Sequence, residues 1–340
     1  MRPLVQCHNV GRFRRFGTTT SYWLFRIGDT VIDCGPSNVS ARVDRLFRSF
    51  HADQAPTSVL VTHHHEDHTG NAGLLQARHQ LPVYCTPMTS QIVQTGYFQE
   101  WYRLAIWGRF RAFSPTGVLG PSFDAGPDVG PLEPIHTPGH IFDHHAIFAP
   151  EHKILFAGDM FIARRRKAYR LDERPRVEIA SLGRLVDTLP AGTRLYCAHR
   201  GDAMVEQDGA QLLRDRRDFL RGLRDTVVQE VTRELGSFDE VSELVSRRAL
   251  AAAQGFRTRQ RLVPAPPATG EEAAFLAAIE QTVRRLSERL LGREGFLALI
   301  TAEDHANVNL IRGMLIDPRV DDGSAQLGLE RFADPALLHE

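Results

Sequence analysis

Cysteine is scarce in this 340-residue chain, with four residues, Cys7, Cys34, Cys85 and Cys197, set far apart and forming no Cys-x-x-Cys pair. That leaves no disulfide framework to read and predicts buried free thiols in a reducing compartment. Lysine is scarcer still: Lys153 and Lys167 are the only two, so nearly all of the 41 basic residues are arginine. No run of about 18 apolar residues occurs, which argues against a membrane-spanning helix. The N-terminal MRPLVQCHNVGRFRRF lacks the apolar core of a secretory signal, so a cytoplasmic location is expected. Net charge is also absent, since 41 acidic residues balance the basic ones. The balance is uneven along the chain, however. Residues 205–340 hold 18 arginines against 23 aspartates and glutamates, an acidic region that disfavours a nucleic-acid partner. With 42% hydrophobic and 24% charged residues, the composition is that of a globular chain with room for one large or two modest domains.

Histidine is plentiful by contrast, with 15 residues, and four of them fall within six positions. Val59–Leu60–Val61–Thr62 reads as a buried strand, and it runs into His63-His64-His65-Glu66-Asp67-His68 before Thr69-Gly70-Asn71-Ala72-Gly73 opens a helix. If the backbone stays extended past Thr62, His63 and His65 project to one side, because strand side chains alternate. The turn that follows can bring Asp67 and His68 to a neighbouring position. Imidazoles and a carboxylate packed this closely suit borderline metals such as zinc.

The HxHxDH pattern behind a strand resembles the signature of the metallo-β-lactamase superfamily of hydrolases, and THHHEDHTGN is similar in particular to the branch of hydroxyacylglutathione hydrolases (glyoxalase II) and related lactonases. The resemblance covers roughly residues 15–204. It implies an α/β fold, an αββα sandwich, followed by an all-helical C-terminal region, with domains at 1–204 and 205–340 and an aromatic helical insertion at 96–118. His140 in HTPGH, Asp159 after the strand Ile154–Ala157, and His199 after the strand Leu195–Ala198 occupy the family's later metal positions. The implied ligand set is His63, His65 and His140 on one metal, and Asp67, His68 and His199 on a second, with Asp159 bridging. Two zinc ions are expected, iron or manganese being the alternatives. Asp33 in VIDCGP is implied to be a buried carboxylate supporting the metal loop, and His136 a structural neighbour. Asp67 is the candidate catalytic residue, orienting the nucleophile or relaying a proton.

Departures from the pattern narrow the chemistry. Relatives with two redox irons carry a glutamate where His65 stands, so hydrolysis is favoured. True β-lactamases of the superfamily generally lack the bridging aspartate, so Asp159 argues against that role. The expected activity is hydrolysis of esters or thioesters, lactones included, by a metal-bridging hydroxide. A phosphodiesterase or nuclease, and a metal-bearing binding protein with little turnover, are the competing readings.

Substrate contacts are drawn from three places. The basic run Arg164-Arg165-Arg166 after Asp159 suits a small or carrier-linked anionic substrate. The aromatic stretch 96–118, with Trp101 and Trp107, reads as a helix forming either core or pocket wall. His305 falls early in a last helix expected from Thr301 to Leu315. From residue 205 the spacing Leu212, Phe219, Leu223, Val227, Val231 and Leu235 predicts a long helix capped by Gly236, and Ser237 with Glu240 predicts a capping box opening the next. These helices either cap the site or serve packing and homodimer formation.

Overall fold

Val31–Ile32 and Val59–Leu60 read as unbroken apolar pairs because the strands they build are covered on both faces. Val31 and Val59, with Val83 of the neighbouring strand, face a helical layer that contributes Val43, Phe47 and Leu75. Ile32 and Leu60 face a second sheet with Ile147, Ile154 and Phe156. The period-two alternation of a strand divides each pair between two cores. The computed structural model describes residues 4–15, 18–51, 54–97, 99, 101–162, 169, 173–205, 208–254, 268–291 and 306–319.

The first sheet has six strands in sequential order: β1 (Val5–Arg15), β2 (Thr18–Ile27), β3 (Thr30–Ile32), β4 (Ser58–Leu60), β5 (Val83–Cys85) and β6 (Gly117–Val118). The β2–β3 hairpin turns at Gly28-Asp29 as expected, with Gly28 at φ +54° and the buried Arg26 bonding both the Gly28 carbonyl (2.7 Å) and Asp29 (2.6 Å). β3, β4, β5 and β6 are parallel. The helices α1 (Ser40–Arg48), α2 (Glu66–Thr69), α3 (Ala72–His79), α4 (Pro87–Thr95) and α5 (Trp101–Trp107) lie between those strands in the chain. β1 was not foreseen: VQCHNVGRFRR shows no clean alternation, and its pairing with β2 is interrupted by a bulge between Asn9 and Gly11. Among its described residues the aromatic stretch is helical only over α5, and Gly108 at φ +85° ends that helix.

The second sheet runs β12 (Met204–Val205), β11 (Arg194–Tyr196), β10 (Ile154–Phe156), β9 (His145–Ala149), β8 (Pro131–His136), β7 (Phe123–Asp124) in spatial order. Its inner face meets that of the first sheet, Phe25 lying 5.5 Å from Phe156 and 5.7 Å from Tyr196, ring to ring. This is the expected αββα sandwich, with both sheets in one compact unit (residues 1–137, 143–163 and 185–213).

A second unit comprises residues 138–142, 164–184 and 214–340. It includes most of α6 (Pro175–Thr188) and of α7 (Gly209–Leu235), with α8 (Phe238–Gln254), α9 (Gly270–Leu291) and α10 (Ala306–Leu315). Gly236 at φ +90° ends α7, and the Glu240 amide donates to Ser237 Oγ (3.3 Å) at the start of α8, as the sequence predicts. α10 packs on α8 and α9, and its end at Leu315 is the expected one. Its expected start at Thr301 lies outside the described residues, as do Arg164, Arg165, Arg166, His305 and the Trp101 side chain. No helix among the described residues is long and apolar enough to cross a membrane.

Candidate metal centre

Four strand ends deliver the polar groups, from the parallel pair β3–β4 in one sheet and the parallel pair β10–β11 in the other. β3 ends into Asp33, β4 into His63, β10 into Asp159 and β11 into His199. β4 stops at Leu60, so His63 and His65 do not share a face through strand alternation; a bend after Thr62 turns them together, His63 Nε2 lying 3.0 Å from His65 Nδ1. Asp67 and His68 follow from α2. His68 Nε2 is 3.2 Å from His199 Nε2. Asp159 Oδ1 lies 3.3 Å from His68 Nε2 and 3.0 Å from His199 Nε2, and Asp67 Oδ2 is 3.2 Å from His199 Nε2. Donor atoms of His63, His68 and Asp159, and of Asp67, His68 and His199, form two overlapping groups each within 4.8 Å.

His63, His68 and His199 are each aimed by a bond on the nitrogen turned away from the cluster. His68 Nδ1 meets Asp33 Oδ2 at 2.7 Å, and His199 Nδ1 donates to the Ser21 carbonyl at 3.0 Å. Asp33, held at φ +64°, also accepts the Thr62 amide (2.9 Å) and hydroxyl (3.0 Å), and Thr62 Oγ1 lies 3.0 Å from His63 Nδ1. One buried carboxylate thus orients the whole loop, as carboxylate–histidine pairs do around metals. His140 belongs to the second unit. Its Nδ1 lies 3.2 Å from Glu173 Oε1, and its segment is fixed by Arg174 N–H to the Gly139 carbonyl (2.8 Å) and Ser181 Oγ to the Pro138 carbonyl (2.6 Å).

Sequence reasoning passed over three supports. His144 Nδ1 donates to Thr137 Oγ1 (2.8 Å), so its Nε2 accepts the Asp159 amide (3.0 Å). Gly158 is required there, since a Cβ would lie 2.5 Å from that Nε2 at φ +50°. Asp143 accepts the His64 amide (2.9 Å) and Nδ1 (2.7 Å) and the Thr89 hydroxyl (2.8 Å), which makes His64 a structural member of the loop. Glu66 forms a bidentate pair with Arg103 (2.7 and 2.8 Å) and receives Tyr97 Oη at 2.9 Å. The DHH run at 143–145 was the available signal, but its partners lie up to 79 residues away. Trp107 is part-buried against the helical-layer core and under Arg103, 5.1 Å from its guanidinium. His136 stacks on its register partner His145 at 4.8 Å, and Cys197 is a buried thiol.

The donor set fits a metal. A tetrahedral zinc with bonds of about 2.05 Å has ligand–ligand edges of about 3.3 Å, and the separations above run from 3.0 to 3.3 Å. The charges agree. Burial opposes a charged His68, yet Asp33, Asp159 and Asp67 outweigh it and hold its pKa well above the ordinary value. Burial likewise opposes His199, but Asp159 and Asp67 raise it to about 10. Asp67, despite its burial, is lowered by His68 and His199. Three carboxylates therefore create a field that demands positive charge, and metal uptake must displace protons.

The match to known sequences decides the family: residues 15–220 fit the metallo-β-lactamase superfamily profile. The chain belongs to the metallo-β-lactamase superfamily. Within it, the chain is 32% identical over 244 residues to a hydroxyacylglutathione hydrolase of Hahella chejuensis, covering 69% of this chain and 73% of the relative. A second hydroxyacylglutathione hydrolase, from Pseudomonas paraeruginosa, is 29% identical over 227 residues, 63% of this chain and 77% of the other. Among solved structures, a metallo-β-lactamase from Pontibacter korlensis aligns with a TM-score of 0.50 at 18% identity, covering 65% of this chain and 96% of that one, which shows the shared fold. The superfamily domain, the relatives and the histidine–aspartate cluster identify a metal-dependent hydrolase.

Proposed function

We propose that this hydrolase holds two divalent cations and cleaves esters or thioesters of small anionic substrates, lactones included. The observation that carries the reading is the position of Asp159, whose Oδ1 lies within 3.3 Å of both His68 Nε2 and His199 Nε2 and which also groups with His63. A carboxylate so placed suits a bridge. His63 and His65, with His140, would hold one cation, and Asp67, His68 and His199 the other. His140 is offered for this place because Glu173 engages its Nδ1 and so fixes the ring. Its segment is also tethered at both ends, where the Thr137 amide meets the His144 carbonyl at 2.9 Å. Zinc suits the nitrogen-rich set, and iron or manganese also fit its ligand types.

When bound, the cations would polarise the scissile carbonyl and lower the pKa of water toward neutrality. The chain's own contribution is orientation. Asp67, kept ionised by His68 and His199, accepts a hydrogen bond from the attacking water and is the group placed to carry its proton. Asp33 and Ser21 hold His68 and His199 in the orientation described, and His144 holds the backbone of Asp159. The names of the relatives favour a thioester with an acidic leaving group, such as a glutathione thioester. Arg164, Arg165 and Arg166 are proposed as its partners; neutralising all three should raise KM more than it lowers kcat, the pattern of lost uniform binding.

The test is turnover by metal-supplemented protein of a neutral thioester, an anionic thioester, a lactone and bis(4-nitrophenyl) phosphate. The expected result is a kcat/KM on ester or thioester at least roughly 100-fold above that on the phosphodiester. The reverse order transfers the chain to phosphodiester chemistry, and no turnover by fully loaded protein makes it a binding protein. Elemental analysis should return about two metals per chain, and Asp159→Ala should lose more metal on dialysis than His199→Gln, because a bridge serves both cations. Less than about one equivalent in the parent protein sinks the dinuclear reading.

A further inference from the structure

Helix α10 grips one short stretch of chain through residues set four and three positions apart. Asn309, itself buried, donates from Nδ2 to the Tyr169 carbonyl at 2.9 Å. Gly313 lies so close to the next part of that stretch that a Cβ on it would stand 2.6 Å from Pro175 Cδ. Just past the helix, the Ile316 carbonyl accepts a bond from Arg176 Nη1 at 3.3 Å. Positions 309, 313 and 316 fall on one face, since residues three and four apart are neighbours on a helix surface. A glycine inside a helix is about 1 kcal/mol less favourable than alanine, and the approach of Pro175 accounts for it here. The helix is fixed in turn by Arg312 to Glu280 of α9 (2.9 Å) and, past its end, by the Asp317 amide to Ser246 Oγ of α8 (2.8 Å).

The gripped stretch carries Glu173, which meets His140 Nδ1. Both side chains are buried, and Arg174 and Ser181 bind the backbone of the same loop at Gly139 and Pro138. A carboxylate orients a histidine only from a fixed backbone, because hydrogen bonds weaken steeply once misaligned. Glu173 has a clamp on either side, Asn309 on Tyr169 and Gly313 on Pro175. All of these contacts lie within the second unit.

We propose that Glu173 is the positioning residue of His140 and that α10 holds it in place, so that occupancy of one cation site depends on the last described helix of the chain. The inference rests on the two-cation reading above, and it gives the helical region a task other than capping the site or joining two copies. A carboxylate behind a ligand histidine fixes the ring and raises its basicity, and losing it lowers metal affinity by about 10–100-fold. The α10 contacts act one step further back, so their loss has a smaller effect on the same site.

The experiment titrates the metal-free protein with cobalt(II) against a chromophoric chelator and records the ligand-field bands of the bound ion. The parent should bind two ions. Glu173→Gln, which keeps the size of the side chain, should weaken one of them about 10–100-fold, shift the bands of that site and leave the other ion unchanged. Gly313→Ala should weaken the same ion by about three- to tenfold, and Asn309→Ala takes its place if that variant does not fold. Neither substitution should add to His140→Ala, because an effect carried through His140 vanishes once His140 is gone. Val227→Ala, a truncation of a fully buried side chain in α7, should lower stability yet leave both affinities within about twofold of the parent. Affinities within about twofold of the parent in Glu173→Gln, or equal weakening with and without His140, overturn the positioning role. Weakening by Val227→Ala as large as that by Gly313→Ala overturns the part given to α10. A parent that binds a single ion, weakened by Glu173→Gln only when His140 is present, ends the two-cation reading and retains the positioning role. No uptake by the parent overturns both.

Discussion

Each compact unit buries a trio of arginine, glutamate and tyrosine, and the two trios are built differently. In the sandwich, Arg103 forks onto both oxygens of Glu66, and the Tyr97 hydroxyl reaches the same carboxylate and the His64 carbonyl (3.2 Å). In the helical unit, Arg216 brings both Nε and a terminal nitrogen to the single oxygen Glu178 Oε1 (3.1 Å each), and that terminal nitrogen also meets the Tyr169 hydroxyl, which in turn donates to Glu178 Oε2 (3.0 Å). Glu66 stands between the candidate ligands His65 and Asp67, whereas Glu178 and Arg216 join helices α6 and α7. Buried ion pairs are often no more stabilising than apolar groups of equal volume. The same buried chemistry is thus retained for different reasons in the two units. The first trio fixes the geometry of a loop that binds something, and the second fixes how helices meet.

Four measurements separate these roles. The largest effect belongs to single truncations, which strand a buried charge. Glu66→Gln and Arg216→Met should each cost about 3–5 kcal/mol in urea unfolding of the metal-free protein. A loss under about 1 kcal/mol in either would show that its trio is not effectively buried. The next effect divides the two regions. Replacing both charges, as Glu66→Leu/Arg103→Met or Glu178→Leu/Arg216→Met, should restore much of the stability in each case. Only the first double variant should weaken metal binding, by about 10–100-fold in a chelator competition, because it removes a support of the ligand loop. Equal metal affinity in both double variants breaks the distinction.

Smaller again is Gly139→Ala. Gly139 has φ +130°, and an added Cβ would come within 2.6 Å of the Glu178 backbone. The expected cost is about 1–3 kcal/mol in thermal unfolding, and an unchanged midpoint would show that the turn can yield. The smallest effect is acid-dependent. Burial opposes ionisation of Asp143, but His64 and Thr89 outweigh it and hold its pKa below the ordinary carboxylate value. Its contribution to stability is therefore complete above about pH 4, the unfolded value, and is lost as pH falls through the lower folded value. Parent protein should lose stability relative to Asp143→Asn over that acid window, and parallel curves would remove Asp143 from the account.

The metal loop was legible because its residue types are rare in combination and its strand is apolar on both faces. The β2–β3 turn, β9 at His145–Ala149 and α7 with its Gly236 cap were legible for local reasons, a turn pair, a short apolar run bounded by a proline turn and a helical period. Where sequence reading failed, no local signal decided the structure. β6 and β7 have two residues each, too few to show a period. β1 is set by its partner strand and carries a bulge. α6 did carry a signal, with Pro175 in its first turn and Leu182 and Leu185 on one face, but it follows directly on the basic run and escaped notice. The supports at Asp143, His144 and Glu66 depend on partners brought up only by the finished fold.

The origin of the donors at the ends of β4, β10 and β11 has a kinetic consequence. His68 and His199 are 131 positions apart in sequence, yet their nitrogens are 3.2 Å apart, so the closing of a very long loop must precede their meeting. The 63–68 segment alone offers the unfolded chain only a weak, flexible site, and the remaining donors arrive when the two sheets have docked. Metal should therefore leave the refolding rate nearly unchanged and slow unfolding, the behaviour of an interaction absent from the transition state. Loaded protein would then persist through heat or protease challenge for longer than its refolding speed suggests, with the cation acting as a latch that closes last.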